Sequence, residues 1–241
     1  MAKGEYKYLQ IRNDILGKIN SGEYTVGSQI PTEMDLCREY NVGRMTVNKA
    51  INELVNKGVI RRISGKGSFV IKKASKPVGS FGGFTQDLSK SGMKAGSRLL
   101  EYKILSYLDE DIPEEARVLQ PAPDNDLIYF KRLRTGDGVP MAVSETYLSG
   151  KYFADFNPQV LDNSLYEYLA MKGFDYDQRQ NVITAVLATV KQKQQLEVPV
   201  NESIPLLKSI SIRYRDKIPY EYTLTYYLCE NFEYTFSNLE E

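Results

Sequence analysis

Two sets of side chains in this sequence have the types and spacing to do chemistry. The first is Arg44, Met45, Thr46, Asn48 and Lys49, interleaved with Val47, Ala50, Ile51, Leu54 and Val55 at helical spacing. The apolar set faces a core, which leaves Arg44, Met45, Asn48 and Lys49 pointing outward. Arg and Asn bond base edges in pairs while Thr and Lys hold phosphates, a combination suited to the DNA major groove. The second set is Arg132, Arg134, Glu145, Tyr147, Glu221 and Tyr227, which lie in three predicted strands. Side chains alternate across a strand, so Arg132 shares a face with Arg134, Glu145 with Tyr147, and Glu221 with Tyr227. If the strands carrying the first two pairs are neighbours, cations, an acid and a phenol converge on one cavity. Ser164, at a predicted helix start, adds a hydroxyl and the positive end of a helix, both suited to an anion. Taken singly, a charged helix face is usually just solvated and a cross-strand ion pair usually structural. Two Arg, a helix cap and two acids with Tyr partners point instead to a site for a small polar anion, such as a sugar phosphate.

The elements that must position the first set are legible. Thr32, after Pro31, is an N-cap with Asp35 three residues on to complete a capping box, so a short helix runs to about Tyr40. Asn41-Val42-Gly43 makes the turn, and a second helix runs from Arg44 to Gly58. Val59–Ile63 and Ser68–Ile71 then alternate around Ser64-Gly65-Lys66-Gly67, a hairpin with a basic tip. Tyr8, Ile11, Ile15, Leu16 and Ile19 form the apolar stripe of a scaffold helix over residues 5–20. This order is that of a winged helix-turn-helix, and it adds Thr32, Glu33, Arg62, Gly65, Lys66 and Gly67 to the DNA-contacting set.

The net charge of zero hides a division: residues 1–76 carry 14 Lys and Arg against 7 Asp and Glu, and residues 77–241 carry 17 against 24. A polyanion partner is implied for the first part alone. With 42% hydrophobic and 26% charged residues the composition is that of an ordinary globular protein. No apolar run is long enough to span a membrane and the N-terminus has no signal core, so a cytoplasmic protein is expected. Cys37 and Cys229 are expected to be reduced and structural. The absence of His removes the usual general base and metal ligand, so neither a catalytic residue, a metal nor a cofactor is expected.

Beyond a short polar stretch at 72–78, taken as the linker between domains 1–71 and 79–241, strands and short helices alternate. Strands are predicted at 99–108, 127–135, 139–148, 180–190, 205–215 and 220–229, and helices at 113–119, 164–171 and 191–196. Residues 134–140 and 213–219 resemble each other, which suggests a degenerate repeat and an antiparallel sheet with helices packed on it. The fold class expected is α+β.

Pro31-Thr32-Glu33, Val42-Gly43-Arg44-Met45-Thr46-Val47 and Gly65-Lys66-Gly67-Ser68-Phe69-Val70 resemble the signatures of the GntR family of bacterial transcription regulators. Gly43 stands where that family usually has Ser or Thr, and Asn48 where an Arg is common, which implies a different operator sequence. Phe84-Thr85, Arg132-Leu133-Arg134, Gly138-Val139-Pro140, Glu145-Thr146-Tyr147, Ser164-Leu165-Tyr166 and Pro219-Tyr220-Glu221 with Tyr227 resemble the UTRA effector-binding domain of its HutC-type subfamily. The resemblance implies a chorismate-lyase-like fold and an effector pocket lined by Phe84, Thr85, Arg132, Arg134, Glu145, Ser164, Glu221 and Tyr227, with Tyr147 and Tyr166 expected beside them. A homodimeric repressor of carbohydrate genes is expected, since two winged helices related by a two-fold axis read a palindromic operator, and it is expected to leave that operator when a phosphorylated sugar binds. A carboxylate or amino-acid-derived effector suits the same arginines. An enzyme of lyase-like fold is the rival from another class, disfavoured by the missing His and the attached DNA reader.

Sorting base from phosphate contacts makes a measurable distinction. Arg44→Ala is expected to weaken operator binding by about 1–3 kcal/mol with less effect on random DNA, whereas Lys66→Ala is expected to weaken all DNA alike and flatten the salt dependence. Titrations of both variants on operator and random duplex across a salt series check it; equal losses on both duplexes for both variants would contradict the assignment.

Overall fold

A computed structural model describes residues 3–63, 65–71, 74–77, 82–162, 164–174 and 178–236 of the 241. The N-terminal part contains α1 (Lys3–Asn20), α2 (Glu33–Glu39), α3 (Arg44–Asn56), β1 (Ile60–Ile63) and β2 (Gly67–Val70). The rest contains β3 (Ala74–Pro77), α4 (Phe84–Lys90), β4 (Ala95–Leu105), β5 (Leu127–Gly136), β6 (Val139–Ser149) and α5 (Gly150–Phe153). It continues with α6 (Leu165–Met171), β7 (Gln178–Leu187), α7 (Val190–Gln195), β8 (Pro205–Arg215), β9 (Ile218–Leu228) and β10 (Phe232–Thr235). Single 3-10 helices lie at Glu114–Leu119 and Pro158–Asp162.

In the first domain the expected caps form. The Thr32 hydroxyl accepts from the Asp35 N–H and the Asp35 carboxylate accepts from the Thr32 N–H, which starts α2 at Glu33. Asn41, with φ of 48°, takes the left-handed turn before α3. Ile11 and Ile15 of α1, Leu36 of α2, Val47, Ala50, Ile51 and Leu54 of α3, and Ile60 and Val70 of the hairpin bury one another in a single core. β1 and β2 pair antiparallel from Ile60↔Val70 to Ile63↔Gly67. The result is the winged helix-turn-helix, an α+β unit.

The second domain is a six-stranded antiparallel sheet in the order β4-β5-β6-β9-β8-β7. Aromatic and aliphatic residues cover one end of one face, where Phe130, Leu148 and Tyr220 pack under Phe153 of α5 and Leu165 and Leu169 of α6. The opposite face is covered by Leu105, Tyr129, Tyr147 and Tyr222 beneath the 114–119 helix and by Leu133, Val143 and Leu228 against Leu196. The two resembling segments are matching tight hairpins, with positive φ at Asp137 and Gly138 in one and at Asp216 and Lys217 in the other. Each hairpin also shifts register by one residue just after its arginine, between Arg134 and Thr135 and between Arg213 and Tyr214.

The stretch expected as a polar linker, 72–78, differs. Ala74–Pro77 is a strand that pairs in parallel with β10, from Ala74↔Phe232 to Thr235↔Pro77. Ala74 and Phe232 are buried in one apolar cluster, and Lys76 is buried against Asp87 at 2.6 Å. The cause is a partner from the far end of the chain, which nothing local to a basic, Ser-containing segment announces. Ser64, Lys72, Lys73, Val78 and Gly79, part of the expected wing tip, linker and glycine-rich loop, lie outside the described residues.

Candidate functional site

The outward face of α3 forms where the sequence places it. Arg44 and Met45 are exposed, Met45 at 88%, and Thr46 is half-buried beside them. Lys49 lies with its Nζ 4.0 Å from the centre of the Tyr8 ring. Asn48 is half-buried and accepts at Oδ1 from Arg62 at 2.6 Å. Arg62 also donates to Asn52 Oδ1 at 2.8 Å and to Glu33 Oε1 at 2.8 Å, so β1, α2 and α3 are tied through one guanidinium. At the wing tip Gly65 and Gly67 have φ of 73° and 112°, and a Cβ on Gly67 would strike the Gln29 side chain, so glycine is required there.

Successive residues of β1 face opposite ways, and Arg61 turns toward the second domain. It is 1% exposed, donates to the carbonyls of Pro140 and Leu196, and lies 3.6 Å from Glu230. Burial pushes its pKa down to about 10, opposed by Glu230 and Glu197. Lys66 at the wing tip makes a 2.7 Å ion pair with Glu197, and Ile63, Ile71 and Phe69 pack on Val139. The wing is thereby docked on the effector domain.

The second site is a cavity on the α6 face of the large sheet. Its floor is built by register. Arg132, Ser144, Thr225 and Ser209 stand side by side across β5, β6, β9 and β8, and Thr146, Thr223 and Ser211 form the next row. Phe84 and Thr85 of α4, Lys76 of β3 and Ser164, Leu165 and Tyr166 at the start of α6 form the walls, and the enclosed volume is about 60 Å3. Arg132 is 5% and Arg134 6% exposed. Arg134 stacks over the Phe84 ring at 4.6 Å and donates to Thr85 Oγ1 at 3.4 Å. Arg132 lies 5.2 Å from the Phe130 ring, and its Nε and Nη1 have no hydrogen-bond partner among the described residues. Burial first and the neighbouring Arg134 second hold the Arg132 pKa well below the usual guanidinium range, and burial pushes Arg134 down to about 10. No ion pair reaches either guanidinium among the described residues.

A separate charged cluster closes one end. Arg213 pairs with Glu221 at 3.4 Å and lies 4.0 Å from the centre of the Tyr166 ring. The Tyr166 hydroxyl donates to Glu221 at 3.1 Å, and Thr223 Oγ1 donates to it at 2.7 Å. Burial works against the Arg213 charge, but Tyr166 and Glu221 outweigh it and raise its pKa; burial pushes Tyr166 up to about 12.

Of the residues expected at this site, Phe84, Thr85, Arg132, Arg134, Ser164, Tyr166 and Tyr227 line the cavity, and Glu221 bonds to its wall. Glu145 and Tyr147 do not. The register shift in the β5–β6 hairpin opposes Arg132 to Ser144 and Arg134 to Ala142, which sends the odd-numbered residues of β6 to the other face. There Glu145 pairs with Lys131 at 2.7 Å, and Tyr147 packs on Tyr129 and Tyr222. Missing from the expected set were Lys76, Ser144, Thr146, Arg179, Asn181, Ser209, Ser211, Arg213, Thr223 and Thr225. A signal existed for several: Ser209, Ser211 and Arg213, and Thr223, Thr225 and Tyr227, alternate polar with apolar neighbours along predicted strands.

A winged reading head joined to a sheet with a buried cationic cavity defines a ligand-responsive DNA-binding regulator. Comparison with known proteins agrees: residues 7–70 match the gntR family of bacterial regulatory proteins and residues 90–233 match the UTRA domain. The chain belongs to this family of UTRA-carrying gntR regulators, which are transcriptional regulators and not enzymes. It is 28% identical over 163 residues to the transcriptional repressor NagR of Bacillus subtilis, covering 67% of this chain and 65% of that one. It is 26% identical over 231 residues to the mannosyl-D-glycerate transport/metabolism system repressor MngR of Escherichia coli, covering 95% and 94%. The crystal structure of PhnF from Mycobacterium smegmatis shares the fold, with a TM-score of 0.60, 21% identity, and coverage of 95% and 99%. Among the described residues no helix is long and apolar enough to cross a membrane, and no cluster of His, Cys, Asp and Glu is suited to a metal.

An uncompensated buried cation costs stability. Arg132→Met, which keeps the aliphatic stem over Phe130, is therefore expected to stabilise the ligand-free protein by about 1–3 kcal/mol. Calorimetric unfolding measures this, and a lower melting temperature than wild type would contradict it.

Proposed function

We propose that the protein is a cytoplasmic, homodimeric repressor of carbohydrate uptake or metabolism genes, released from a palindromic operator by a small anionic effector, a sugar phosphate. The observation that carries the effector class is the Arg132 and Arg134 pair, two buried guanidiniums without a carboxylate, set in a floor of Ser and Thr hydroxyls. A phosphate supplies the missing negative charge through bidentate bonds, and the floor hydroxyls with Glu221 take a sugar's hydroxyls. The Escherichia coli relative is a mannosyl-D-glycerate transport/metabolism system repressor, which supports both repression and the carbohydrate side. The dimer is supported by operator symmetry, since two heads related by a two-fold axis read two half-sites. It is further supported by the edge strand β7, which exposes Val182 and Leu187 and pairs on one side, with β8.

Release follows from competition for the wing. Docking occupies Lys66 with Glu197 and buries Arg61, so DNA phosphates and the effector domain contend for the same tip. An effector seated in this cavity bears directly on its walls. One wall, β3 with Lys76, begins four residues after the wing strand ends at Val70. The effector biases the head by the difference in its affinity for the two arrangements, and by no more than that.

Two measurements test this. In thermal melting against sugar phosphates, free sugars and small carboxylates, one sugar phosphate is expected to raise the melting temperature, with about 2.7 kcal/mol of stabilisation at a hundred times its Kd, and the shift is expected to vanish in Arg134→Ala. A shift with a carboxylate and none with any sugar phosphate would overturn the sugar assignment. For the wing, Glu197→Gln is expected to tighten DNA binding severalfold, with the gain disappearing in a Lys66→Gln background; an equal gain in both backgrounds means that the acid acts at long range and the competition does not exist.

A further inference from the structure

We propose that Asn48 reads its base as a hydrogen-bond donor only, and that Arg62 is the positioning residue that imposes this. The inference concerns α3 and stands apart from the effector.

Arg62 Nη2 donates to Asn48 Oδ1 at 2.6 Å and to Glu33 Oε1 at 2.8 Å, and Nη1 donates to Asn52 Oδ1 at 2.8 Å. A guanidinium has donors and no acceptor, so the amide orientation is dictated: the Asn48 oxygen faces Arg62 and its NH2 turns away. Asn48 and Asn52 are four residues apart on one side of α3, and the planar fork of Arg62 spans both. The bond to a charged donor is the strong kind, and Glu33 gives Arg62 a counter-charge that holds it there.

A free Asn recognises adenine with both ends of its amide, accepting from N6 and donating to N7. At Asn48 one lone pair of the oxygen is engaged by a cation, and an adenine amino group reaching for the other is set beside the guanidinium, donor against donor. What remains is the NH2. Guanine offers two acceptors, N7 and O6, in the major groove; thymine offers O4, while cytosine presents an opposing donor. Asn48 therefore selects guanine, disfavours cytosine and loses the usual Asn preference for adenine. Because Glu33 neutralises Arg62, Arg62 itself is a poor phosphate ligand, although its sequence position in a basic wing suggests one.

The test uses the full chain and its four-base preferences. Selection from a randomised duplex library, followed by anisotropy titrations with each base at each half-site position, is carried out on wild type, Asn48→Ala, Asn48→Asp and Arg62→Ala. Asn48→Ala is expected to flatten the preference at one position, where wild type favours guanine. Arg62→Ala, on a partly exposed side chain, is expected to move that position from guanine toward adenine by about tenfold while leaving the salt slope unchanged. Asn48→Asp keeps the contact to Arg62 but presents an acceptor, so the position is expected to turn to cytosine. A wild-type preference for adenine there, a guanine preference that survives Arg62→Ala, or no position flattened by Asn48→Ala overturns the proposal.

Discussion

The effector domain depends on two one-residue bulges. Read outward from its tight turn without a bulge, the β5–β6 hairpin would set Glu145 opposite Phe130, on the arginine face of the sheet. The extra residue on β6 moves the pairing by one, so Ser144 and Thr146 join Arg132 and Arg134 while Glu145 goes to the other side with Lys131. The β8–β9 hairpin repeats the device. Its bulge sets Glu221 opposite Arg213 instead of Ile212, which is what creates the buried ion pair at the cavity's end. Side-chain direction has a period of two, so a shift of one residue exchanges the contents of the two faces. A hydroxyl floor with unpaired cations exists on one face, and a tyrosine-rich core on the other, because both hairpins bulge at the same place.

Charge is distributed with the same economy. Lys76 with Asp87, and Arg213 with Glu221, bury cation and acid together. Arg132 and Arg134 bury cations alone, relieved by rings and one hydroxyl. Fixed, desolvated donors that lack their own acid suit the external anion proposed above, and their burial costs stability. In β1 the alternation of a single strand gives adjacent arginines opposite duties: Arg61 docks the wing on the effector domain, and Arg62 clamps the reading helix. The two functions meet in four residues, so the wing cannot change its hold on one side without consequence for the other.

Local interactions made the reading head legible from sequence. The Thr32–Asp35 capping box, the apolar spacing along α1 and α3 and the left-handed turn at Asn41 depend on residues a few positions apart, and each formed as expected. The strands of the large sheet were legible for the same reason, as was the sharing of a face by Arg132 with Arg134 and by Glu221 with Tyr227. The parallel pairing of β3 with β10 was not, because its partners come from opposite ends of the chain. Nor were the cavity roles of Lys76 and Arg213 or the docking role of Arg61, whose partners are carbonyls and acids distant in sequence. By itself the sequence determined the elements of the reading head, the six long strands and which residues of each strand lie together, since those follow from backbone geometry over a few residues. Only the tertiary structure decided which faces of neighbouring strands coincide, because cross-strand register is set by bulges and long-range packing that no local period contains.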